Sequence, residues 1–207
     1  HADMVSMARP FLADAHFVAK AMRNESKLIN TCIACNQACL DHSFEQKRAS
    51  CLVNPQACYE TELTFTPTHS KKKLAVVGAG PAGLAFSMYA AERGHEVHLF
   101  DKASEIGGQF NYASRIPGKE EFKETIRYFN TMIERLGIDL KLNTMTSADE
   151  LKAAGFDDVI VATGVEPRVP KMPGIDHAKV VTYQELLADA ERLARALASR
   201  HAEGSRI

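Results

Sequence analysis

The sequence has almost no net charge, no apolar run of membrane length and no recognisable secretory leader. Its 207 residues carry a formal net charge of −1, and Lys71-Lys72-Lys73 is too short to form a basic patch, so nothing favours nucleic acid as a partner. No apolar run approaches the ~20 residues of a membrane helix. We therefore expect a cytoplasmic protein without membrane partners, with enough core for one or two globular units.

The N-terminal stretch lacks an initiator methionine and a clear first element. His1-Ala2-Asp3 begins abruptly, so we expect the chain to be a piece of a longer protein. Residues 4–7 are compatible with a short buried strand, and residues 11–22 with one or two helical turns. By residue type alone, Arg9 is an ordinary surface cation.

Cysteines are few but concentrated. Four of the five have the spacing C-x2-C-x3-C-x11-C, and these are Cys32, Cys35, Cys39 and Cys51. In a chain without a secretory leader, such a cluster indicates metal binding rather than disulfides. Cys58 lies outside this spacing, and we predict that it is a small buried hydrophobic residue.

Three interpretations of the four cysteines are open. Iron–sulfur clusters are held by four thiolates, often as a compact triplet with a remote fourth, which is the spacing found here. A structural zinc also takes four cysteines, but usually as two separated C-x2-C pairs. Free structural cysteines are the third interpretation. Residues 26–70 are otherwise loop-rich and bury little apolar surface alone, so a bound metal centre would supply the missing constraint.

A glycine-rich turn follows a short apolar strand at residues 74–77. Gly78-Ala79-Gly80-Pro81-Ala82-Gly83 fits G-x-G-x-x-G, and a helix is predicted from Pro81 to about Arg93. The first glycine makes the tight turn, the second lets backbone approach a pyrophosphate, and the third lets the helix pack on the strand. The positive N-terminal end of the helix would lie at the phosphates.

The next predicted strand, residues 96–100, ends in an acidic residue. Asp101 comes 23 residues after Gly78, at a position where a carboxylate can accept hydrogen bonds from a ribose. An acid with no nearby arginine favours FAD or NAD over NADP. Gly107-Gly108, just beyond the acid, would bring backbone close to a longer ligand, which favours FAD over NAD.

The remaining pattern continues an α/β fold. Apolar residues spaced by four and three predict a helix over residues 119–137, with a stripe made of Phe122, Ile126, Phe129, Ile133 and Leu136. Further predicted elements are a strand over 138–142, a short helix or turn over 151–155, a buried strand over 158–164 and a helix over 185–197. Ala162-Thr163-Gly164 are small enough to let a flavin or another backbone approach. We find no second glycine motif before Ile207.

The cysteine spacing, the glycine turn and Ala162-Thr163-Gly164 together resemble the bacterial NADPH-dependent 2,4-dienoyl-CoA reductases, which are relatives of trimethylamine dehydrogenase. The resemblance extends over residues 1–187 and is densest in 30–41, 50–55, 74–86 and 116–122. The three-residue gap between Cys35 and Cys39 is similar to that of the dienoyl-CoA reductases, whereas the amine dehydrogenases have a gap of two.

The resemblance implies an α/β architecture of several parts. They are the C-terminal end of a flavin (β/α)8 barrel over 1–25, a loop-rich [4Fe-4S] segment over 26–70, an incomplete Rossmann-like FAD-binding domain over 71–187 and an atypical helical tail over 188–207.

The resemblance also implies site residues. Cys32, Cys35, Cys39 and Cys51 would hold the cluster. The implied FAD contacts are Gly78, Gly80, Ala82, Gly83, Asp101, Gly108, Gln109, Lys119, Ala162, Thr163 and Gly164. Ala8 and Arg9 would meet the FMN phosphate, which replaces the surface interpretation of Arg9.

In this family, electrons pass from NADPH through FAD, the cluster and FMN to an unsaturated acyl-CoA of fatty-acid β-oxidation. The barrel that would carry FMN, the substrate and the catalytic acid is missing from this chain, and so is a glycine turn for NADPH. We therefore expect the 207-residue chain alone to be inactive. Three alternatives stay open: an amine dehydrogenase or NADH-dependent flavin oxidoreductase, a non-catalytic iron–sulfur/FAD module, and a zinc-stabilised binding domain.

Overall fold

A four-stranded parallel sheet lies at the centre of the computed structural model, which describes residues 2–189 and 194–195. The strands are β1, Lys73–Val77; β2, Glu96–Phe100; β3, Asp139–Lys141; and β4, Asp158–Val161. They are ordered β3-β2-β1-β4, and each neighbouring pair is parallel. The carboxyl end of the inner strand β1 is therefore flanked on both sides, which is where ligands bind in open parallel sheets.

Helices precede the sheet and connect its strands. In chain order they are α1, Arg9–Ala13; α2, Phe17–Met22; α3, His42–Phe44; α4, Pro81–Glu92; α5, Gln109–Ala113; α6, Phe122–Leu136; α7, Ala148–Ala153; and α8, Tyr183–Ala188. A 3₁₀ turn at Ser26–Leu28 and a π-helical turn at Gln37–Asp41 lie before the sheet. None of the helices that the structure describes combines the length and apolarity needed to cross a bilayer.

The main core lies between one face of the sheet and the helices α4 and α6. Its buried side chains include Leu74, Val76, Leu84, Met88, Val97, Leu99, Tyr128, Phe129, Met132 and Ile133. Val76 and Leu99 are register partners on β1 and β2, and both are fully buried. Each such side chain contributes about 1.5–3 kcal/mol of hydrophobic stabilisation. Of the predicted apolar stripe of α6, Phe129 and Ile133 are buried in this core, and Ile126 and Leu136 pack against it. Phe122 instead packs on Phe110 of α5.

The second face of the sheet has a smaller core and an open edge. Ala75, Phe100 and Leu151 of α7 form this core. The predicted strand over 158–164 exists as β4, but the prediction that it is buried is wrong, since Val161 is 74% exposed. Among the described residues β4 pairs with β1 alone, and of its apolar side chains Ile160 packs against a core whereas Val159 and Val161 do not.

Element boundaries follow glycine and capping signals in the chain. β2 has its predicted bounds, α4 ends one residue early, and α6 ends at Gly137, whose φ of 64° is the left-handed conformation that stops a helix. The helix predicted at 151–155 begins earlier, because Ser147 forms a capping box with Glu150. The helix predicted over 185–197 appears as α8, and its remainder lies outside the described residues apart from helical residues 194–195.

Two predictions for the first sixty residues are wrong. Residues 4–7 form no strand, and Met4 and Val5 are exposed because the described chain offers them no partner surface. The helical turns predicted over 11–22 are confirmed as α1 and α2. Cys58 is only half-buried, and its φ of 64° turns the chain at that point. The buried residue is its neighbour Ala57, 1% exposed.

The cysteine-containing segment is attached to the sheet through α4. The Phe65 ring stacks on Tyr89 at a centroid distance of 4.1 Å, and the backbone N–H of Thr68 donates to the Arg93 carbonyl at 2.8 Å. Burial raises the pKa of Tyr89 to about 12. These contacts fix the end of the segment that leads into β1.

Candidate cofactor sites

The four cysteines of the spaced motif line one small pocket. Cys32, Cys35, Cys39 and Cys51 are all half-buried free thiols, and Cys58 is not among the lining residues. Within the described residues, no three His, Cys, Asp or Glu side chains converge closely enough to hold a single metal ion. A lone zinc would need thiolates about 2.3 Å from one point. An iron–sulfur cluster also takes four thiolates, so the four thiols that line this pocket are the ligand set of either group.

Unusual backbone conformations bring the first three cysteines to this pocket. Ala34 and Asn36 have φ angles of 52° and 60°, in the left-handed region that costs a non-glycine residue roughly 1–2 kcal/mol. The chain then widens into the π-helical turn at Gln37–Asp41, where the Asp41 N–H donates to the Asn36 carbonyl at 3.1 Å. Strained residues and π turns both cluster at functional sites.

The fourth cysteine returns on a separate loop that is tied to the third. The Ser50 N–H donates to the Ala38 carbonyl at 2.7 Å, next to Cys39. Burial raises the pKa of the Cys51 thiol, and hydrogen bonds from the backbone of Val53 and Asn54 oppose that shift. The neighbouring thiols of the pocket raise the pKa further. A positively charged metal centre in the pocket would instead stabilise the thiolate form of Cys51 and lower its pKa.

A buried polar network holds the two halves of the pocket together. The Asp14 carboxylate, 5% exposed, accepts hydrogen bonds from Lys20 Nζ at 2.6 Å and from the Asn30 N–H at 2.9 Å. The Asn30 side chain donates to the Val53 carbonyl at 2.6 Å, and the Asn54 side chain donates to the Leu12 carbonyl at 2.8 Å. Sequence analysis missed this network, because nothing in the local pattern around Asp14 distinguishes it from a surface acid.

Replacing Asp14 with alanine should destabilise the protein by about 2–4 kcal/mol, because Lys20 and the Asn30 amide lose a buried acceptor. Urea denaturation followed by circular dichroism measures this change. Asp176→Ala is the control, since Asp176 is exposed in the loop before α8. Equal unfolding free energies for the two variants would contradict the structural role of Asp14.

Arg9 lies at the cysteine pocket, which it helps to line. Its guanidinium donates to the side-chain oxygen of Asn36, the residue that follows Cys35. Ala8 precedes it as the N-cap of α1 and is exposed. The prediction that Ala8 and Arg9 meet an FMN phosphate stays a prediction, and the observed partner of Arg9 is the cysteine loop.

The glycine turn has the backbone geometry that its motif predicts. Gly78 has a φ of +110°, and a Cβ there would lie 2.3 Å from the Ala162 carbonyl oxygen. A Cβ on Gly83 would lie 1.8 Å from the Gly78 oxygen, whereas one on Gly80 would meet nothing within 4 Å. Backbone packing therefore requires the first and third glycines, and the second borders open space at the N-terminus of α4.

Asp101 braces this turn from the end of β2. One carboxylate oxygen accepts from the Ala79 N–H at 2.6 Å, and the other accepts from the Ala103 N–H at 2.8 Å. Each carboxylate oxygen keeps a second lone pair that could accept from a ribose. The predicted ribose acid is therefore also a support for the turn, a role that the sequence did not reveal.

The second glycine pair packs directly on the turn. The Gly107 N–H donates to the Ala79 carbonyl at 2.8 Å. A Cβ on Gly108 would lie 3.1 Å from the Cα atom of Gly80, and both residues of the pair have positive φ angles. On the other side, the Ala162 N–H donates to the Val77 carbonyl at 2.8 Å. The glycine pair therefore lies beside Gly80, and Ala162 lies beside Gly78.

The other residues predicted to contact FAD have the following positions and partners. Ala82 is exposed in the first turn of α4, and Thr163 and Gly164 are exposed after β4. Gln109 begins α5 and accepts a hydrogen bond from the Tyr183 hydroxyl at 3.0 Å. Lys119 is exposed, and its ammonium lies 5.7 Å from the centroid of the Phe122 ring.

The turn fits a dinucleotide pyrophosphate. A 12-residue helix begins beside an open space bordered by glycine backbone, and free N–H groups at such a helix end attract phosphate. A parallel sheet with this turn after its inner strand defines the dinucleotide-binding class of oxidoreductase domains.

The chain belongs to the pyridine nucleotide-disulphide oxidoreductase family, whose model matches residues 72–203. It is 38% identical over 191 residues to the metal reductase of Desulforamulus reducens, covering 90% of this chain and 29% of that protein.

Two solved structures are also similar to it. The complex of 2-naphthoyl-CoA reductase with 2-naphthoyl-CoA has a TM-score of 0.86 at 39% identity, covering 90% of this chain and 28% of that one. The 6-hydroxypseudooxynicotine amine oxidase of Pseudomonas geniculata N1 has a TM-score of 0.83 at 29% identity, covering 90% and 30%.

This chain therefore spans less than a third of the proteins that it matches. The comparisons confirm the predicted α/β fold and the flavin and pyridine-nucleotide oxidoreductase family, with an electron-transfer role. The predicted barrel end and the iron–sulfur segment stay predictions, as does the specific activity of a 2,4-dienoyl-CoA reductase.

Proposed function

We propose that this chain is the electron-relay part of a cytoplasmic reductase of conjugated acyl-CoA thioesters, of the NADPH-dependent 2,4-dienoyl-CoA reductase type. The observation that carries the proposal is the attachment of a four-thiol pocket to the unit that contains the dinucleotide turn. Groups bound at the cysteine pocket and at the glycine turn would be held in one packed structure, which suits electron transfer between them.

The residues of the chain have separate tasks in this proposal. Cys32, Cys35, Cys39 and Cys51 hold a [4Fe-4S] cluster, and the glycines of the turn admit the FAD pyrophosphate. When bound, the flavin supplies two-electron chemistry and the cluster one-electron transfer. The Asp101 carboxylate keeps the turn in its binding conformation through the Ala79 N–H. FMN, NADPH and the acyl-CoA would bind to the rest of the parent protein.

The choice of substrate class rests on similarity. The chain is 39% identical to a structure of 2-naphthoyl-CoA reductase bound to 2-naphthoyl-CoA, whose name describes a conjugated system joined to a CoA thioester. The three-residue gap between Cys35 and Cys39 supports the same assignment. A second candidate is an amine dehydrogenase or oxidase, which the similarity to the Pseudomonas amine oxidase favours.

Anaerobic reconstitution with iron, sulfide and FAD tests the relay proposal. We expect about four iron and four sulfide per chain, a broad visible absorbance and one bound flavin. Both chromophores should bleach with dithionite. One equivalent of zinc and a colourless protein would instead support the zinc-stabilised domain. Material that holds neither iron with sulfide nor a yellow cofactor would overturn the proposal.

Substrate assays on the full-length parent protein test the reaction. We expect NADPH-dependent reduction of a 2,4-dienoyl-CoA and no oxidation of dimethylamine, and the reverse outcome would favour the amine dehydrogenase. The 207-residue chain alone should show no turnover, because in this proposal the substrate binds to the barrel of the parent protein. Detectable dienoyl-CoA reduction by that chain would contradict this expectation.

A further inference from the structure

Arg127 of α6 clamps the backbone that leads into the first cysteine. One guanidinium nitrogen, Nη1, donates to the Lys27 carbonyl at 2.6 Å, and Nη2 donates to the Ile29 carbonyl at 2.8 Å. The third, Nε, donates to a carboxylate oxygen of Glu124 at 2.7 Å. The Thr31 hydroxyl lies 3.4 Å from both the Glu124 carboxylate and Nη2. All three nitrogens of the side chain are therefore engaged between α6 and residues 27–31.

This clamp connects the two candidate cofactor sites by a short path. Residues 27–31 run directly into Cys32, and α6 packs on α4 in the main core. The helix α4 in turn begins at the glycine turn. Cys32 is thus attached to the glycine turn through the Arg127 side chain and the packed helices α6 and α4.

We propose that Arg127 is a positioning residue that sets the separation between the cysteine pocket and the dinucleotide turn. This inference rests on the proposed relay function, in which the two sites exchange electrons. Arginine suits the task because its rigid planar fork donates to two carbonyls at once. A lysine can reach the same carbonyls, but it holds them less rigidly.

Other contacts keep the segment attached when this clamp is lost. The Phe65–Tyr89 stack and the bond from Thr68 to Arg93 lie at its far end, and the Asp14 network holds both halves of the pocket. An Arg127 variant should therefore fold and keep its pocket, while the stretch before Cys32 becomes looser.

Limited proteolysis of the full 207-residue chain without cofactors tests the clamp. Trypsin cleaves after Lys27, whose carbonyl accepts a hydrogen bond from Arg127. Loss of a charged hydrogen-bond donor should raise the rate of this cleavage about tenfold in Arg127→Gln. Arg127→Lys should lie between this variant and the parent chain. Lys123→Gln removes an exposed charge from the same helix and should leave the rate unchanged. Equal rates in Arg127→Gln and the parent chain would overturn the inference.

Electron transfer in the reconstituted chain tests positioning. After flash reduction of the flavin, we expect the cluster to be reduced at least about tenfold more slowly in Arg127→Gln, with partial rescue in Arg127→Lys. Iron, sulfide and flavin contents, both midpoint potentials and the cluster's electron paramagnetic resonance signal should match the parent chain.

An unchanged transfer rate overturns the inference. Loss of iron from Arg127→Gln overturns it too, because the residue would then act in assembly of the site. A parent chain that binds neither cofactor overturns the proposed function itself. The two failures are distinct, because the tryptic assay requires no cofactor.

Discussion

Replacing Gly80 with alanine should greatly weaken flavin binding without destabilising the protein much, whereas replacing Gly83 with alanine should destabilise the fold itself. A Cβ at Gly80 meets no atom within 4 Å, and its backbone has a φ of −78° that alanine adopts freely. As a helix N-cap substitution it should cost at most about 1 kcal/mol. The new methyl group would occupy the space where the pyrophosphate approaches, so flavin affinity should fall by about 100-fold or more.

Gly83 differs because its neighbours are backbone atoms. A Cβ there would lie 1.8 Å from the Gly78 oxygen, and neither the turn nor α4 can move away without disrupting the core. We expect a loss of about 3 kcal/mol or more, at the upper end for overpacking. Chemical denaturation measures stability, and quenching of flavin fluorescence on titration measures affinity. A folded Gly80→Ala variant with unchanged affinity would mean that the flavin pyrophosphate does not bind at this turn.

The contrast between these glycines was accessible from the sequence, because the motif specifies local backbone geometry. The same holds for β2 and for the end of α6, where alternation and a following glycine act within a few residues. By comparison, the exposure of β4 depends on which elements pack over its side chains, and its own apolar pattern cannot report that. The exposure of residues 4–7 has the same origin.

The residues that hold the two sites in place could not be predicted from the sequence, for a related reason. Arg127 lies 98 positions from Ile29, whose carbonyl it holds, and a charged residue on the surface of a helix looks the same whether or not it has such a partner. Asp14 and Asn54 likewise act through contacts with distant backbone. Residues that bind a ligand have recognisable spacing, since the ligand imposes it, but residues that position them have none.

Replacing Cys39 with serine should remove nearly all bound iron and sulfide, while Cys58→Ser should keep both at the parent level. Cys39 shares one pocket with three other thiols, and Cys58 lies outside that pocket although it is also half-buried. A cluster needs thiolate ligands, and a serine hydroxyl is a poor replacement because it does not ionise near neutral pH. The two substitutions are otherwise matched in size and polarity, so general effects of losing a thiol cancel.

Flavin retention separates loss of the cluster from loss of the fold. Cys39 lies in a turn before the sheet, and the glycine turn depends on β1, α4 and Asp101. Cys39→Ser should therefore still bind about one flavin per chain, lose the broad visible absorbance and transfer no electron after flash reduction of that flavin. Iron and sulfide analysis with visible spectra of the two variants makes the comparison. Full iron content in Cys39→Ser, or equal loss in Cys58→Ser, would contradict the four-cysteine assignment, because iron would then bind independently of the shared pocket.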